Sequence, residues 1–146
     1  MVINKRNVFS IITVLVLDTA SISTYAAADA NSLQQVVDRG KELFMTATFD
    51  GNGRHCTTCH KEGGTAMSEL PNGKKFASLN NAAAIFPRYD DKNHRVKTLP
   101  DQVQHCVRNA IHGTPPAFDS AEMTELVTYL TSLSQGKLIE MDGNPK

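Results

Sequence analysis

The segment Cys56-Thr57-Thr58-Cys59-His60 has the pattern C-x-x-C-H. This pattern is the attachment signature of c-type haem. Two thiols on one tight turn reach the vinyl groups of one porphyrin and form thioethers, and the adjacent imidazole can bind the iron. We therefore predict one covalent haem c, attached through Cys56 and Cys59, with His60 as the proximal iron ligand.

Other sites built from paired cysteines fit this sequence less well. A zinc ribbon needs a second cysteine pair, and Cys106 is the only other cysteine in the chain. A thioredoxin-like redox pair needs an adjoining βαβ pattern, which the sequence lacks. A disulfide between Cys56 and Cys59 stays open as an alternative, but it leaves His60 without a role.

The composition describes one globular domain and excludes some classes of partner. The chain has 146 residues, of which 40% are hydrophobic, so a single core is expected and disorder throughout is not. Fifteen basic residues balance fifteen acidic ones. A neutral balance gives no electrostatic reason to expect nucleic acid as a partner.

The start of the chain has the pattern of a secretory signal peptide. Basic residues precede an apolar run at residues 8–17, and the three alanines at 26–28 offer a cleavage site. The run has ten residues, whereas a membrane span needs roughly twenty. We predict a signal peptide at residues 1–28 and a haem domain at 29–146, exported to the periplasm or an equivalent compartment without a stable membrane anchor. An uncleaved anchor is the alternative.

Helical periodicity recurs along the rest of the chain, and no segment alternates as a strand would. Ser32 and Gln35 fit a capping box that starts the first helix, and Gly113 suits the position just past the end of the second. The predicted helices are residues 33–46, a segment from Pro100 to about His112, and one that opens at Asp119 or Ser120 and presents Met123, Leu126, Val127, Leu130 and Leu133 on one face.

About fifty residues separate the first two predicted helices. A connection of this length is uncommon in a compact domain unless something other than side-chain packing organises it. A haem would provide such a surface. The polar tail at residues 136–146 is expected to be mobile.

The order of an amphipathic helix, C-x-x-C-H, loops and a last amphipathic helix resembles the class I cytochrome c family over about residues 30–135. The resemblance implies an all-α fold in which the N- and C-terminal helices pack around one covalently bound haem. It also implies that the face of Gly40 crosses the face of Leu126 and Leu130.

The second iron ligand is less obvious. Class I cytochromes usually supply a methionine ahead of the last helix, and this chain has none there. At about 100° per residue, Cys106 shares the apolar face of its helix, whereas His105 points away from it. We favour Cys106, with His105 as the alternative. The other possibilities are Met67, His94 or an open site. Met123 and His112 are less suitable as ligands, because Met123 lies on a packing face and His112 is expected at the surface.

A second resemblance supports Cys106. Residues 86–89, Thr98, Leu99, Cys106, Gly113 and 119–123, together with 60–64, are similar to the amino-terminal haem domain of thiosulfate dehydrogenases. That family and the related SoxA proteins bind a haem through His and Cys, and their cysteine falls on Cys106. A competing likeness to cytochrome c″ would make His105 the ligand.

The sequence departs from the thiosulfate dehydrogenase pattern where that family has arginines and a serine near the cysteine. These positions hold Gln102, Asn109 and Ala110, and the chain has a single C-x-x-C-H. We therefore predict an electron carrier for redox partner proteins, with a second cytochrome chain as a candidate heterodimer partner. Binding of NO or CO after release of the distal ligand, and a role as a subunit of a thiosulfate-oxidising enzyme, are the alternatives.

Overall fold

The computed structural model describes residues 20–145, with side chains from Ser32 onward. The predicted apolar run of the signal peptide, at residues 8–17, lies outside the described residues. The predicted cleavage region at 26–28 lies in the first part of a helix. Within the described range, no helix is both long and apolar enough to cross a membrane.

Helices dominate the fold, which confirms the predicted class. The helices are α1 (Ala20–Thr46), α2 (Cys56–Cys59), α3 (Ala82–Ile85), α4 (Leu99–Cys106) and α5 (Ala121–Leu133), with a 3₁₀ turn at Glu62–Gly64 and a π turn at Val107–Ile111. Two antiparallel hairpins, which the sequence did not predict, pair β1 (Ser68–Glu69) with β2 (Lys75–Phe76) and β3 (Arg88–Asp90) with β4 (Arg95–Lys97). These strands are too short to show a recognisable alternation.

Helices α1 and α5 cross at Gly40, as predicted. A Cβ atom at this position would overlap the backbone carbonyl oxygen of Glu125 and lie 2.8 Å from Cβ of Tyr129. The two helices approach closely because Gly40 carries no side chain. Beside the crossing, Nε of Arg39 lies 2.5 Å from Oε1 of Glu125.

The start of α1 differs from the prediction. The helix begins at Ala20 rather than near Leu33, so Ser32 is an interior residue and not its N-cap. The residues before Ser32 are rich in alanine, the strongest helix former. Extending an existing helix costs less than starting one, and a capping motif alone does not force a boundary.

The segment Leu99–Ile111 is helical, close to the predicted range, and it begins one residue before Pro100. Thr98 caps α4 by accepting from the N–H of Asp101, whose carboxylate accepts from the N–H of Thr98 at 2.8 Å. At the other end His112 is the C-cap, with φ 57°, and Gly113 lies just past the end, as predicted. Gly113 is also needed for close packing, because a Cβ there would overlap the carbonyl oxygen of Phe49.

The tail after Gly136 does not behave as predicted, because backbone hydrogen bonds hold it against the rest of the domain. The N–H of Glu140 donates to the carbonyl of Ala84 at 2.8 Å, and the N–H of Asp142 donates to that of Ile85 at 3.1 Å. Such contacts are distant in sequence and leave no local pattern.

The core lies between α1, α4 and α5. Its buried members are Phe44, Ala82, Leu99, Val103, Met123, Leu126, Tyr129 and Leu130. Sequence analysis assigned most of the α5 face to this core but missed Tyr129, whose hydroxyl donates to the carbonyl of Gly63 at 2.7 Å. This bond ties the last helix to the loop that follows His60.

Candidate haem site

The C-x-x-C-H motif forms a single helical turn, α2. The two residues between the cysteines stabilise it: Oγ1 of Thr58 accepts from the N–H of His55 at 3.1 Å, and Oγ1 of Thr57 bonds Nδ1 of His55 at 2.5 Å. Residues three apart lie on one face of a helix, so both thiols are presented to the same side. The N–H of His60 then closes the turn on the carbonyl of Cys56 at 2.9 Å.

The His60 ring is held by aromatic contacts and is suited to metal binding. Its centroid lies 6.4 Å from that of Phe44 and 5.4 Å from that of Phe76, which meets it edge-on. Burial lowers the pKa of His60, so the ring is neutral, the form that binds metals. Its Nδ1 is buried and has no hydrogen-bond partner among residues 32–145. A buried polar atom without a hydrogen-bond partner lowers the stability of the fold. Such a cost is expected at a ring whose role is to bind a cofactor.

All three cysteines and His60 line one cavity of about 380 Å³. Its walls are mostly apolar, as a porphyrin face requires. They come from α1, α3, α4, the π turn, α5 and the loops on either side of α3, and include Phe44, Leu79, Ala82, Ile85, Phe86, Leu99, Val103, Val107, Ala110, Ile111, Leu126 and Leu130. The long connection between α1 and α4 therefore folds around this space, as the haem interpretation predicts.

Cys106 is the last residue of α4, and its sulfur accepts a hydrogen bond from Nε2 of Gln102 at 3.1 Å. Burial raises the pKa of the Cys106 thiol, and the Gln102 bond acts in the opposite direction. Burial, followed by the proximity of Cys106, raises the pKa of Cys56 to about 12. The thiols are thus close enough to interact electrostatically.

The predicted orientation of α4 is confirmed, because its apolar face lines the cavity and the alternative ligands lie elsewhere. His105 is exposed, bonds Asn109 at 3.2 Å and lines a separate polar pocket. Met67 is 72% exposed and Met123 is a core residue at 2%. His94 and His112 are exposed as well. Of the candidates for the second ligand, Cys106 alone reaches the cavity.

Local sequence patterns did not indicate that Arg54 and Arg88 belong to the cavity. Arg54, Lys75 and Arg88 line it, and among the described residues no Asp or Glu does. Nη1 of Arg54 also donates to the carbonyl of Ala110 at 3.4 Å. These residues come from separate loops and strands, so no local pattern connects them. Gln102 could have been identified from the sequence, since a residue four positions before Cys106 on a helix lies on the same face.

The profile of the family described as SoxA/TsdA, cytochrome c domain, matches residues 39–139. This chain belongs to that family. Its SoxA/TsdA domain contains α2, the cavity and α5 together with most of the connecting loops. The cofactor of such a domain is covalently bound haem c, which agrees with the C-x-x-C-H prediction.

Individual relatives support the assignment. Thiosulfate dehydrogenase from Stutzerimonas stutzeri (strain A1501) is 34% identical over 112 residues, which cover 73% of this chain and 34% of that protein. The SoxA subunit of L-cysteine S-thiosulfotransferase from Pseudaminobacter salicylatoxidans is 25% identical over 119 residues, covering 82% and 37%.

The fold of a solved structure agrees with that of this SoxA/TsdA domain. Thiosulfate dehydrogenase TsdBA from Marichromatium purpuratum superposes with a TM-score of 0.61 at 24% identity, covering 75% of this chain and 24% of that one. The class I cytochrome-like fold is therefore confirmed. The chain spans between 24% and 37% of the length of these three relatives.

Proposed function

We propose that this chain is an exported monohaem cytochrome c domain that transfers electrons. Cys56 and Cys59 attach the haem, His60 is its proximal ligand and Cys106 its distal ligand. The observation that carries the proposal is the single apolar cavity lined by these four residues. The proposal includes removal of residues 1–28 on export.

Attachment needs only the two thiols of α2. Each S–H group adds across one vinyl double bond. The sulfur forms a covalent bond to one vinyl carbon, the hydrogen is transferred to the other carbon, and no group leaves. The helical turn presents both sulfurs on one face, and the hydrogen bonds of His55 with Thr57 and Thr58 hold that turn in place. His60, the next residue after the pair, is thereby brought to the same cavity.

Two protein ligands favour electron transfer over catalysis at the metal. When bound, haem iron supplies a one-electron couple. A histidine and a cysteinate that stay in place in both oxidation states leave little to rearrange. An anionic sulfur ligand stabilises the ferric state and lowers the potential. The apolar wall of the cavity keeps water from competing with either ligand.

The charge around the cavity favours an acidic redox partner. Arg54, Lys75 and Arg88 line it, and of these Lys75 is partly offset by Oε2 of Glu69, which lies 3.7 Å from its Nζ. Complementary charge accelerates encounter and orients a partner. One electron would enter from a reduced partner docked over these cations and leave to an oxidised one by the same face.

A role as one subunit of a sulfur-compound-oxidising enzyme is the second candidate. Its support is the 34% identity to a thiosulfate dehydrogenase and the 25% identity to a SoxA subunit. The chain spans about a third of either protein, and in this candidate role it would work with a partner, such as a second cytochrome chain. Turnover of thiosulfate with an electron acceptor, lost in Cys106→Ala, would support this candidate over a simple carrier.

Low-temperature EPR of the oxidised protein tests the ligand assignment. We expect a low-spin thiolate spectrum that Cys106→Ala abolishes and His105→Ala leaves unchanged. Loss of the spectrum in His105→Ala, with Cys106→Ala unaffected, would overturn it. Reduced protein exposed to CO adds a second check, since a carrier with both ligands in place keeps its absorption spectrum, whereas a protein that binds diatomic ligands shifts it.

A further inference from the structure

We propose that Gln102 is a positioning residue for Cys106. Its side-chain amide holds the sulfur by a hydrogen bond and withdraws electron density from it, so that the reduction potential of the site is raised. The proposal rests on the assignment of Cys106 as the distal ligand.

The geometry that supports this role is local and direct. Nε2 of Gln102 lies 3.1 Å from Sγ of Cys106. The two residues are four apart on α4 and therefore share one face of the helix. Thr98 and Asp101 cap the start of α4 reciprocally, so the first turn, from which Gln102 projects, is well anchored.

The hydrogen bond from Gln102 reaches the sulfur of Cys106 directly. Lys97 and Lys74 act on Cys106 only through space. An N–H donor stabilises negative charge on an acceptor. A cysteinate that shares its charge with an amide donates less to iron, which disfavours the ferric state relative to the ferrous one.

Gln102 lies at the boundary between two cavities, and this position makes its proposed role towards Cys106 specific. It lines the haem cavity and also the neighbouring polar pocket that contains Arg88, Lys97 and His105. Its amide thus separates the sulfur from a polar, charged environment. A leucine of similar size would fill the same wall but offer the sulfur no donor.

The test compares Gln102→Leu and Gln102→Glu with Gln104→Leu in the haem-loaded protein. Gln104 is a matched control, because it lies on the same helix and its Nε2 donates to the carbonyl of Pro116 at 2.9 Å, away from Cys106. We expect a lower reduction potential and altered EPR g-values in Gln102→Leu, a larger decrease in Gln102→Glu, and wild-type values in Gln104→Leu.

Three outcomes would overturn the proposal. If Gln102→Leu keeps the wild-type potential and EPR spectrum while Cys106→Ala changes both, the ligand assignment stands and the role of Gln102 is refuted. If Gln104→Leu shifts the potential as much as Gln102→Leu does, the effect belongs to the helix in general. If Cys106→Ala leaves the spectrum unchanged, the ligand assignment fails and Gln102 loses its role with it. Where Gln102→Leu does not load haem, Gln102→Asn, which retracts the amide, replaces it under the same criteria.

Discussion

The backbone N–H of Asn52 donates a hydrogen bond of 2.8 Å to the carbonyl oxygen of Ile111. Asn52 lies in the loop that leads into α2, and Ile111 ends the π turn that follows Cys106. A π turn alters the local hydrogen-bond pattern of a helix and is common at functional sites. The segment that contains the candidate attachment residues and the segment that supplies the candidate distal ligand are thus joined directly.

Gly51→Ala should break this connection. A Cβ atom at Gly51 would lie 2.8 Å from Cγ2 of Ile111 and closer still to its carbonyl oxygen. Overpacking of this kind costs about 1–3 kcal/mol. Urea denaturation of the haem-loaded protein measures the loss, with Asn72→Ala in the exposed β1–β2 turn as the control. An unchanged unfolding free energy would show that the contact is dispensable.

Gly40→Ala should destabilise the protein more than Gly51→Ala does. The added Cβ would overlap the carbonyl of Glu125, so α1 and α5 would have to separate along their crossing. We expect a loss of about 3 kcal/mol, the upper end of the range for overpacking. Lys41→Ala, one residue further along α1 and exposed, is the control and should change stability by less than about 0.5 kcal/mol. Equal melting temperatures for the two variants would contradict the tight crossing.

The cap of α4 should make stability depend on pH. Hydrogen bonds from Thr98, together with Arg95, lower the pKa of Asp101 to about 2. Because the pKa is lower in the folded state than in the unfolded one, the carboxylate contributes its full stabilisation above about pH 4, and this is lost as the pH falls towards 2. Asp101→Asn should cost about 1 kcal/mol at neutral pH and nothing further in acid.

The difference in unfolding free energy between wild type and Asp101→Asn, followed from pH 7 to pH 2, isolates this effect from any other acid transition of the protein. Asp91→Asn in the β3–β4 turn serves as the control. A difference that stays constant across this range would show that the carboxylate is not responsible.

Charge reversal at the cavity should change the rate of electron exchange with small ions. Lys75 lines the cavity, and its side chain is 73% exposed. Reversing a charge about 10 Å from a unit charge in water changes their interaction by about 0.8 kcal/mol, or about fourfold in rate. Lys75→Glu should therefore slow oxidation by ferricyanide and accelerate reduction by hexaammineruthenium.

Stopped-flow rates at low and high salt measure this effect. Lys92→Glu makes a suitable control, because Lys92 lies at the polar pocket and not at the cavity. Both effects of Lys75→Glu should fade as salt screens the charges. Equal changes for the two variants would indicate that overall charge, and not the cavity rim, controls the rate.

The sequence was sufficient for the parts of the site that depend on local geometry. The C-x-x-C-H motif predicted that Cys56, Cys59 and His60 lie together, and all three line one cavity. Periodicity oriented Cys106 correctly because α4 is regular as far as that residue. The donor Gln102 obeys the same periodicity, but it was considered only as a departure from an arginine in a related family.

The remaining features depend on contacts between distant segments. Gly113 must lack a side chain because Phe49 lies against it, and Phe49 belongs to a loop more than sixty residues earlier in the sequence. The carbonyl oxygens of Ala110 and Ile111 in the π turn accept hydrogen bonds from Asn52, which lies in a distant loop. The strands of the two hairpins are only two or three residues long, so their tertiary position and not their β propensity determines them.

The docked tail has a practical consequence. Pro145 lines the haem cavity, and the preceding residues are held in place by the carbonyls of α3. A polyhistidine purification tag joined after Lys146 would add imidazoles that can compete with Cys106 for iron. Spectra from such a preparation would then describe the tag, so it should be removed by protease before any ligand is assigned.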